Sequence, residues 1–107
     1  MRNVTTRFAE RGDLQRLLAI EAAALPSTRY LAEVEEEFYD PDRGELIVAE
    51  IDGIVAGFAH YSIQYDNAAW IETLRVDPPL QKKGAGAAIW DRIMEKCREM
   101  NPPAVRM

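Results

Sequence analysis

Two runs rich in β-branched and aromatic residues, Leu46 to Ile51 and Ile54 to Ile63, are separated only by Asp52 and Gly53. Asp-Gly tolerates the positive φ angles of a type I′ turn, whose twist matches that of paired strands. A two-residue link allows an antiparallel hairpin and no parallel crossover. The chain must therefore build its core around a sheet. With 107 residues and 12.1 kDa it has room for one core, so residues 1–107 are expected to form one domain.

Patterns on either side of the hairpin extend this frame. Val4, Thr6 and Phe8 alternate with polar or small neighbours and predict a first strand. Gly12-Asp13 marks a helix start, with Asp13 placed to accept bonds from unpaired N–H groups. Leu14, Leu17, Leu18, Ala22 and Leu25 share one face of that helix, which Pro26 ends. Ser27 or Thr28 can cap a second helix whose buried stripe is Leu31, Val34 and Phe38. Pro41, Asp42 and Gly44 form a turn. After a break at Asp66-Asn67, Ala68 to Val76 reads as a further strand. From near Gly84 a strongly periodic helix places Ile89, Trp90, Ile93, Met94, Cys97 and Met100 on one face, ending at Asn101-Pro102-Pro103. Ala104 to Met107 resembles the start of another strand. The class is α+β, in the order β-α-α-β-β-β-α with a truncated strand after it.

The bulk properties exclude several roles. Net charge is −5, so the basic surplus that gives nucleic-acid binders most of their affinity is missing. No apolar run approaches the roughly 20 residues needed to span a bilayer, and Met1 to Glu10 lacks the apolar stretch of a secretory signal. Cys97 is the only cysteine; an internal disulfide is excluded, and a reducing, cytoplasmic setting is expected. The acidic run Glu33, Glu35, Glu36, Glu37, Asp40 and Asp42 reads first as a solvated helix face and second as an electrostatic lure for a cationic substrate. No metal-ligand set is apparent.

The junction between the strand ending at Val76 and the helix opening near Gly84 carries chemistry. A glycine-rich turn there leaves several backbone N–H groups pointing outward at a helix N-terminus. With the helix dipole behind them they suit an anion such as a diphosphate. Gly84 and Gly86 let the backbone approach a ligand closely, and Lys82 and Lys83 add positive charge against the acidic trend of the chain. A P-loop is excluded, because no glycine stands four residues ahead of a Gly-Lys-Ser/Thr. A dinucleotide fingerprint fails at Ile89, where a third glycine or alanine is required.

The segment Leu74-Arg75-Val76-Asp77-Pro78-Pro79-Leu80-Gln81-Lys82-Lys83-Gly84-Ala85-Gly86-Ala87 resembles the acyl-coenzyme A signature of the GNAT superfamily of N-acyltransferases, Gln/Arg-x-x-Gly-x-Gly/Ala after a strand ending Leu-x-Val-x-Pro. Gln81, Gly84 and Gly86 match it, with Leu74, Val76 and Pro78 in register. The element order from Val4 to Met100 also agrees with the first two-thirds of that fold, a mixed and mostly antiparallel sheet flanked by helices. The resemblance implies acetyl-CoA, or another acyl-CoA, as donor cosubstrate and an amine of a small molecule or protein as acceptor, joined by direct transfer in a ternary complex. It implies that the backbone of Leu74, Arg75 and Val76 pairs with pantetheine, and that the N–H groups from Lys82 through Ala87, including Lys83, Gly84, Ala85 and Gly86, cradle the diphosphate. Backbone donors near Leu74 would stabilise the oxyanion.

Glu72, two residues from Leu74 on the same strand, is the candidate general base, against the alternative of a solvent-facing strand carboxylate. His60 titrates near neutrality and is a second candidate, but reads more readily as an ordinary strand histidine. Tyr61, Tyr65 and Trp70 read as core aromatics or as an acceptor pocket, and Cys97 as a buried small hydrophobe. The family fold continues with a strand splayed from the Ala68 to Val76 strand, then a helix, which often carries the tyrosine that protonates the departing thiolate, and usually two more strands. The chain stops at Met107, so the domain is expected to be C-terminally incomplete, either as a fragment or completed by a second copy in a homodimer. An acyl-CoA-binding module with a sensing or assembly role, lacking catalysis, is the alternative to an enzyme.

Overall fold

A computed structural model describes residues 3–24, 30–63, 68–100 and 104–106. The strands are β1 (Val4–Phe8), β2 (Glu45–Ile51), β3 (Ile54–Ile63), β4 (Ala68–Val76) and β5 (Ala104–Arg106); the helices are α1 (Leu14–Ala24), α2 (Tyr30–Tyr39) and α3 (Ala85–Met100). They form one mixed sheet in sequence order, β1-β2-β3-β4-β5. The first four strands pair antiparallel, while β5 runs parallel to β4 and meets it only at Ala68, Ala69 and Trp70. The expected hairpin closes at Asp52 and Gly53 with φ of 51° and 85°, both in the left-handed region that a type I′ turn requires.

Each face of the sheet carries its own core. On one, α3 packs Ala85, Ile89 and Ile93 against Ile47, Ala49, Ile51, Ala59, Tyr61 and Ile71. Full burial of each isoleucine stabilises by about 1.5–3 kcal/mol. On the other, α1 and α2 bring Leu17, Ile20, Leu31 and Phe38 onto Leu46, Val48 and Phe58. The stripe predicted for α2 is the one observed, with Leu31 and Phe38 buried and Val34 packed beside them.

Two helix-face predictions need correction. Trp90 is 37% exposed: the seam of α3 is Ala85, Ile89 and Ile93 with Met94 packed beside it, and Trp90 lies outside the buried cluster. Asp13 does not cap α1; it closes a 3₁₀ turn at Arg11–Asp13 by accepting the N–H of Glu10 at 2.7 Å, while Arg7 grips it from β1. Leu25, Pro26, Ser27, Thr28, Tyr65, Asp66, Asn67 and the Asn101-Pro102-Pro103 stop lie outside the described residues, as does the side-chain environment of Cys97 and Met100.

Two irregularities shape the middle of the sheet. Ala56 is the extra residue in β3 between the pairs Ala49–Gly57 and Glu50–Val55. Glu72 is the extra residue in β4, between the pairs His60–Thr73 and Tyr61–Ile71. A bulge of this kind interrupts the ladder and re-aims side chains. Ile71 and Leu74 thus both face α3, and Glu72 and Thr73 between them both face α1 and α2.

Candidate active site

The strand-to-helix junction is tied down from three directions. The N–H of Asp77 donates to Ala56 O at 2.8 Å, and a 3₁₀ turn at Pro78–Leu80 follows, its prolines preset for the tight φ. Arg16 of α1 donates through Nη2 to Asp77 Oδ2 at 2.8 Å and through Nε to Val55 O at 2.9 Å. Gln81 donates through Nε2 to Val76 O at 3.2 Å.

Beyond Gln81 the backbone turns outward. Lys82 has φ of 63° and Gly84 of 100°, so left-handed residues alternate with others and gather successive N–H groups into a concave nest. The first helical bond of α3 is donated by Ala88 to Gly84 O. Among the described residues, the N–H groups from Lys82 through Ala87 therefore have no backbone acceptor. Six consecutive donors leading into the positive end of a 16-residue helix have the arrangement that suits an anion. Lys82 is exposed and Lys83 half-buried at its rim. Gly84 occupies a conformation that side-chain-bearing residues rarely adopt. Gly86 does not: its φ is ordinary, and an added Cβ would meet Val76 Cγ2 at a normal 3.8 Å. No close contact among the described residues demands glycine there.

The peptide groups of β4 alternate in direction. Asp77 N–H faces β3, and Arg75 O lies against Gly57 of β3. By the same alternation, Leu74 and Val76 direct their N–H and C=O groups to the opposite edge. Both carbonyls there accept from side chains, Leu74 from Arg75 Nη1 at 3.0 Å and Val76 from Gln81 Nε2. Among the described residues the β4–β5 ladder runs from Ala68 to Trp70 and stops short of them.

Glu72 stands a few residues along the same strand, on the α1/α2 face. Its Oε1 accepts from Ser62 Oγ at 3.1 Å and lies 3.5 Å from His60 Nδ1. The glutamate side chain is 27% exposed, whereas the imidazole is 1% exposed. The histidine ring stacks on Phe38 of α2, with centroids 4.1 Å apart and planes within 4°. Burial lowers the pKa of His60, and the carboxylates of Glu72 and Glu37 oppose that shift without reversing it. The two residues that the sequence offers as rival bases are therefore neighbours, brought together by the bulge.

Of the remaining candidates, Tyr61 and Trp70 lie among the described side chains, and they are on opposite faces of the sheet. Tyr61 is in the core beneath α3, with its hydroxyl donating to Glu45 Oε2 at 2.9 Å. Trp70 is exposed and, by alternation from Ile71, lies on the same face as Glu72. In the acidic run Glu36 pairs with Arg11, and Asp40 caps the turn at Asp42 while facing Arg43. Two residues escape the sequence reading. Arg16 anchors the junction, and Glu21, only 2% exposed, accepts the Leu31 N–H through both carboxylate oxygens at the start of α2. A carboxylate four residues after Leu17, on the buried face of α1, was the available signal. Among the described residues no helix is long and apolar enough to cross a membrane.

Comparison with known proteins agrees with this geometry. No curated protein sequence matches the chain. Among solved structures, the ribosomal-protein-S18-alanine N-acetyltransferase from Escherichia coli superposes with a TM-score of 0.80 at 21% identity, covering 94% of this chain and 63% of that one. A transcriptional regulator from Bacillus halodurans C-125 does so with a TM-score of 0.78 at 21% identity, over 97% of this chain and 80% of that one. A putative streptothricin acetyltransferase from Bacillus anthracis str. Ames, solved in complex with acetyl coenzyme A, gives 0.74 at 19% identity, over 96% and 73%. At these identities the likeness is one of fold. The family model for the acetyltransferase (GNAT) family matches residues 13–106, and the chain therefore belongs to that family.

Proposed function

We propose that the chain binds acetyl-CoA, or a closely related acyl-CoA, and transfers the acyl group directly to an amine of a small molecule or protein. The observation that carries this reading is the row of six N–H groups from Lys82 through Ala87, without a backbone acceptor among the described residues, beside the outward-facing edge of Leu74 and Val76. The nest takes the diphosphate, with Lys82 and Lys83 adding charge at its rim. Pantetheine amides add to β4 as a further strand would, exchanging with the side-chain bonds that Arg75 and Gln81 now make to Leu74 O and Val76 O. Arg75 contributes through this side chain, since its own peptide groups serve β3. The Leu74 N–H faces the edge where the thioester carbonyl lies and stabilises the oxyanion as it forms.

Glu72 takes the proton. Ser62 Oγ donates to one of its oxygens, His60 Nδ1 lies 3.5 Å from the same oxygen, and partial exposure leaves the carboxylate accessible to an ammonium from the α1/α2 face. As the proton leaves, the nitrogen lone pair forms the new C–N bond and the C–S bond breaks to release CoA thiolate.

Calorimetry with acetyl-CoA tests binding, and thiol release across an amine panel tests transfer. Glu72→Gln should cut kcat by roughly 100-fold or more while leaving acetyl-CoA affinity unchanged; equal turnover at every pH would remove Glu72 as base. Binding without transfer to any amine would support the second reading, an acyl-CoA-binding module, because nest and edge are sufficient for binding alone.

A further inference from the structure

His60 is the only histidine in the chain, it is buried, and the steps above leave it without a role. A buried imidazole normally finds hydrogen-bond partners. Here neither ring nitrogen has one of good geometry among the described residues, and Nδ1 meets Glu72 Oε1 at 3.5 Å, the outer limit of such a bond. The ring is nevertheless held on several sides. Phe38 stacks flat on it, and Thr73 faces it across the ladder, its own Oγ1 unpaired among the described residues. Gly44 closes over it: a Cβ on Gly44 would stand 3.0 Å from His60 Cε1 and 2.2 Å from Tyr61 O. The charged groups acting on the ring are Glu72 from β4 and Glu37 from α2. An imidazole fixed this firmly, with a nitrogen aimed at a half-accessible carboxylate, is placed to orient that carboxylate.

We propose that His60 and Glu72 act as one proton-accepting pair, with His60 the positioning residue that holds Glu72 toward the acceptor amine and shares the proton it takes. This rests on the reading of Glu72 as base. The ammonium gives its proton to Glu72; the neutral Nδ1 of His60 receives a share of that proton through the 3.5 Å contact, which shortens as the carboxyl becomes a donor. The nitrogen lone pair then attacks the acyl thioester, and the electrons of the C–S bond leave with the thiolate.

The single histidine makes the test direct, because one imidazole signal reports in the NMR spectrum of the whole chain. In wild type and in Glu72→Gln, which alters only a partly exposed side chain, the His60 signal is followed from pH 8 to pH 4. Glu72→Gln should displace its midpoint to lower pH, since the carboxylate favours the imidazolium; an unmoved midpoint overturns the pairing whether or not an acceptor is known. In the thiol-release assay His60→Gln should lower kcat by roughly 10-fold, below the roughly 100-fold of losing the base itself, and move the acid limb of the pH profile, with the KM for acetyl-CoA unchanged. His60→Asn, which keeps a polar amide near the Nδ1 position but cannot take up a proton, should recover part of kcat without restoring the limb. The double variant should be no slower than Glu72→Gln alone. Additive losses, or His60 variants with the wild-type limb, overturn the proposal while leaving Glu72 as base; normal turnover in Glu72→Gln overturns the base itself.

Discussion

Arg16 Nη2 lies 2.8 Å from Asp77 Oδ2, and this contact spans 61 residues of sequence to fasten α1 to the turn that opens the nest of N–H groups at Lys82–Ala87. The same guanidinium also donates to Val55 O, so one side chain fixes both β3 and the end of β4. Asp77 is largely buried by the contact. Arg16→Ala should destabilise the fold by about 1–3 kcal/mol, the cost of leaving a buried acceptor and its charged partner unsatisfied. Urea denaturation measures that loss, and calorimetry should show weaker acetyl-CoA binding as the nest loses its anchor. Arg16→Lys should recover little, since an ammonium cannot reach two acceptors in fixed directions.

The two glycines of the nest should separate experimentally. Gly84→Val forces a β-branched residue to φ of +100°, with a strain of about 1–3 kcal/mol, and should abolish measurable acetyl-CoA affinity. Gly86→Ala is compatible with the helix and gains up to about 1 kcal/mol in propensity. Its melting temperature should hold or rise while acetyl-CoA affinity falls, because the new methyl stands where the diphosphate approaches. Retained affinity in both variants would place the anion elsewhere.

Acid should unfold the chain in two stages. Folding lowers the pKa of His60, chiefly through burial, so as pH falls the unfolded chain takes up this proton first. Stability then declines below the ordinary histidine value of 6.5 until the folded form is also protonated. Asp13 is held below its ordinary 3.8 by its hydrogen bond from Arg7, so its contribution is complete above that value and disappears as pH falls through the lower one. Urea midpoints measured from pH 8 to pH 3 should show both declines. His60→Gln should flatten the first and Asp13→Asn the second.

Gly44 should tolerate no side chain. A Cβ there would lie 2.2 Å from Tyr61 O, with φ of +130° adding backbone strain. Gly44→Ala must push β3 away or displace the His60 ring from Phe38. A lower denaturation midpoint is expected, together with a shifted His60 imidazole signal; an unchanged spectrum would show that the turn can yield without disturbing the ring.

Local chemistry made much of this fold legible. Asp52-Gly53 located the hairpin, the period of Val4 to Phe8 located β1, and Lys82 to Ala87 located the nest, because each depends on residues adjacent in the chain. What escaped depends on contacts between distant segments. Glu21 finds its partner ten residues away only after α1 and α2 fold back on one another, and Arg16 reaches Asp77 only across the assembled sheet. The meeting of His60 with Glu72 was hidden for another reason. Simple alternation through Leu74 would turn Glu72 toward α3, and nothing in the composition of β4 announces the extra residue that turns it the other way.

That extra residue has a consequence for how the chain can change. Ile71 and Leu74 must both reach the apolar layer under α3, yet an uninterrupted strand cannot send residues three apart to one side. The surplus position resolves this conflict in parity, and the residue filling it is the proposed base. Removing Glu72 altogether, and not merely replacing it, would restore an unbroken ladder with both hydrophobic anchors retained. Architecture and the proposed chemistry are separable here by a single codon: one in-frame deletion would leave a plain strand without the proposed base.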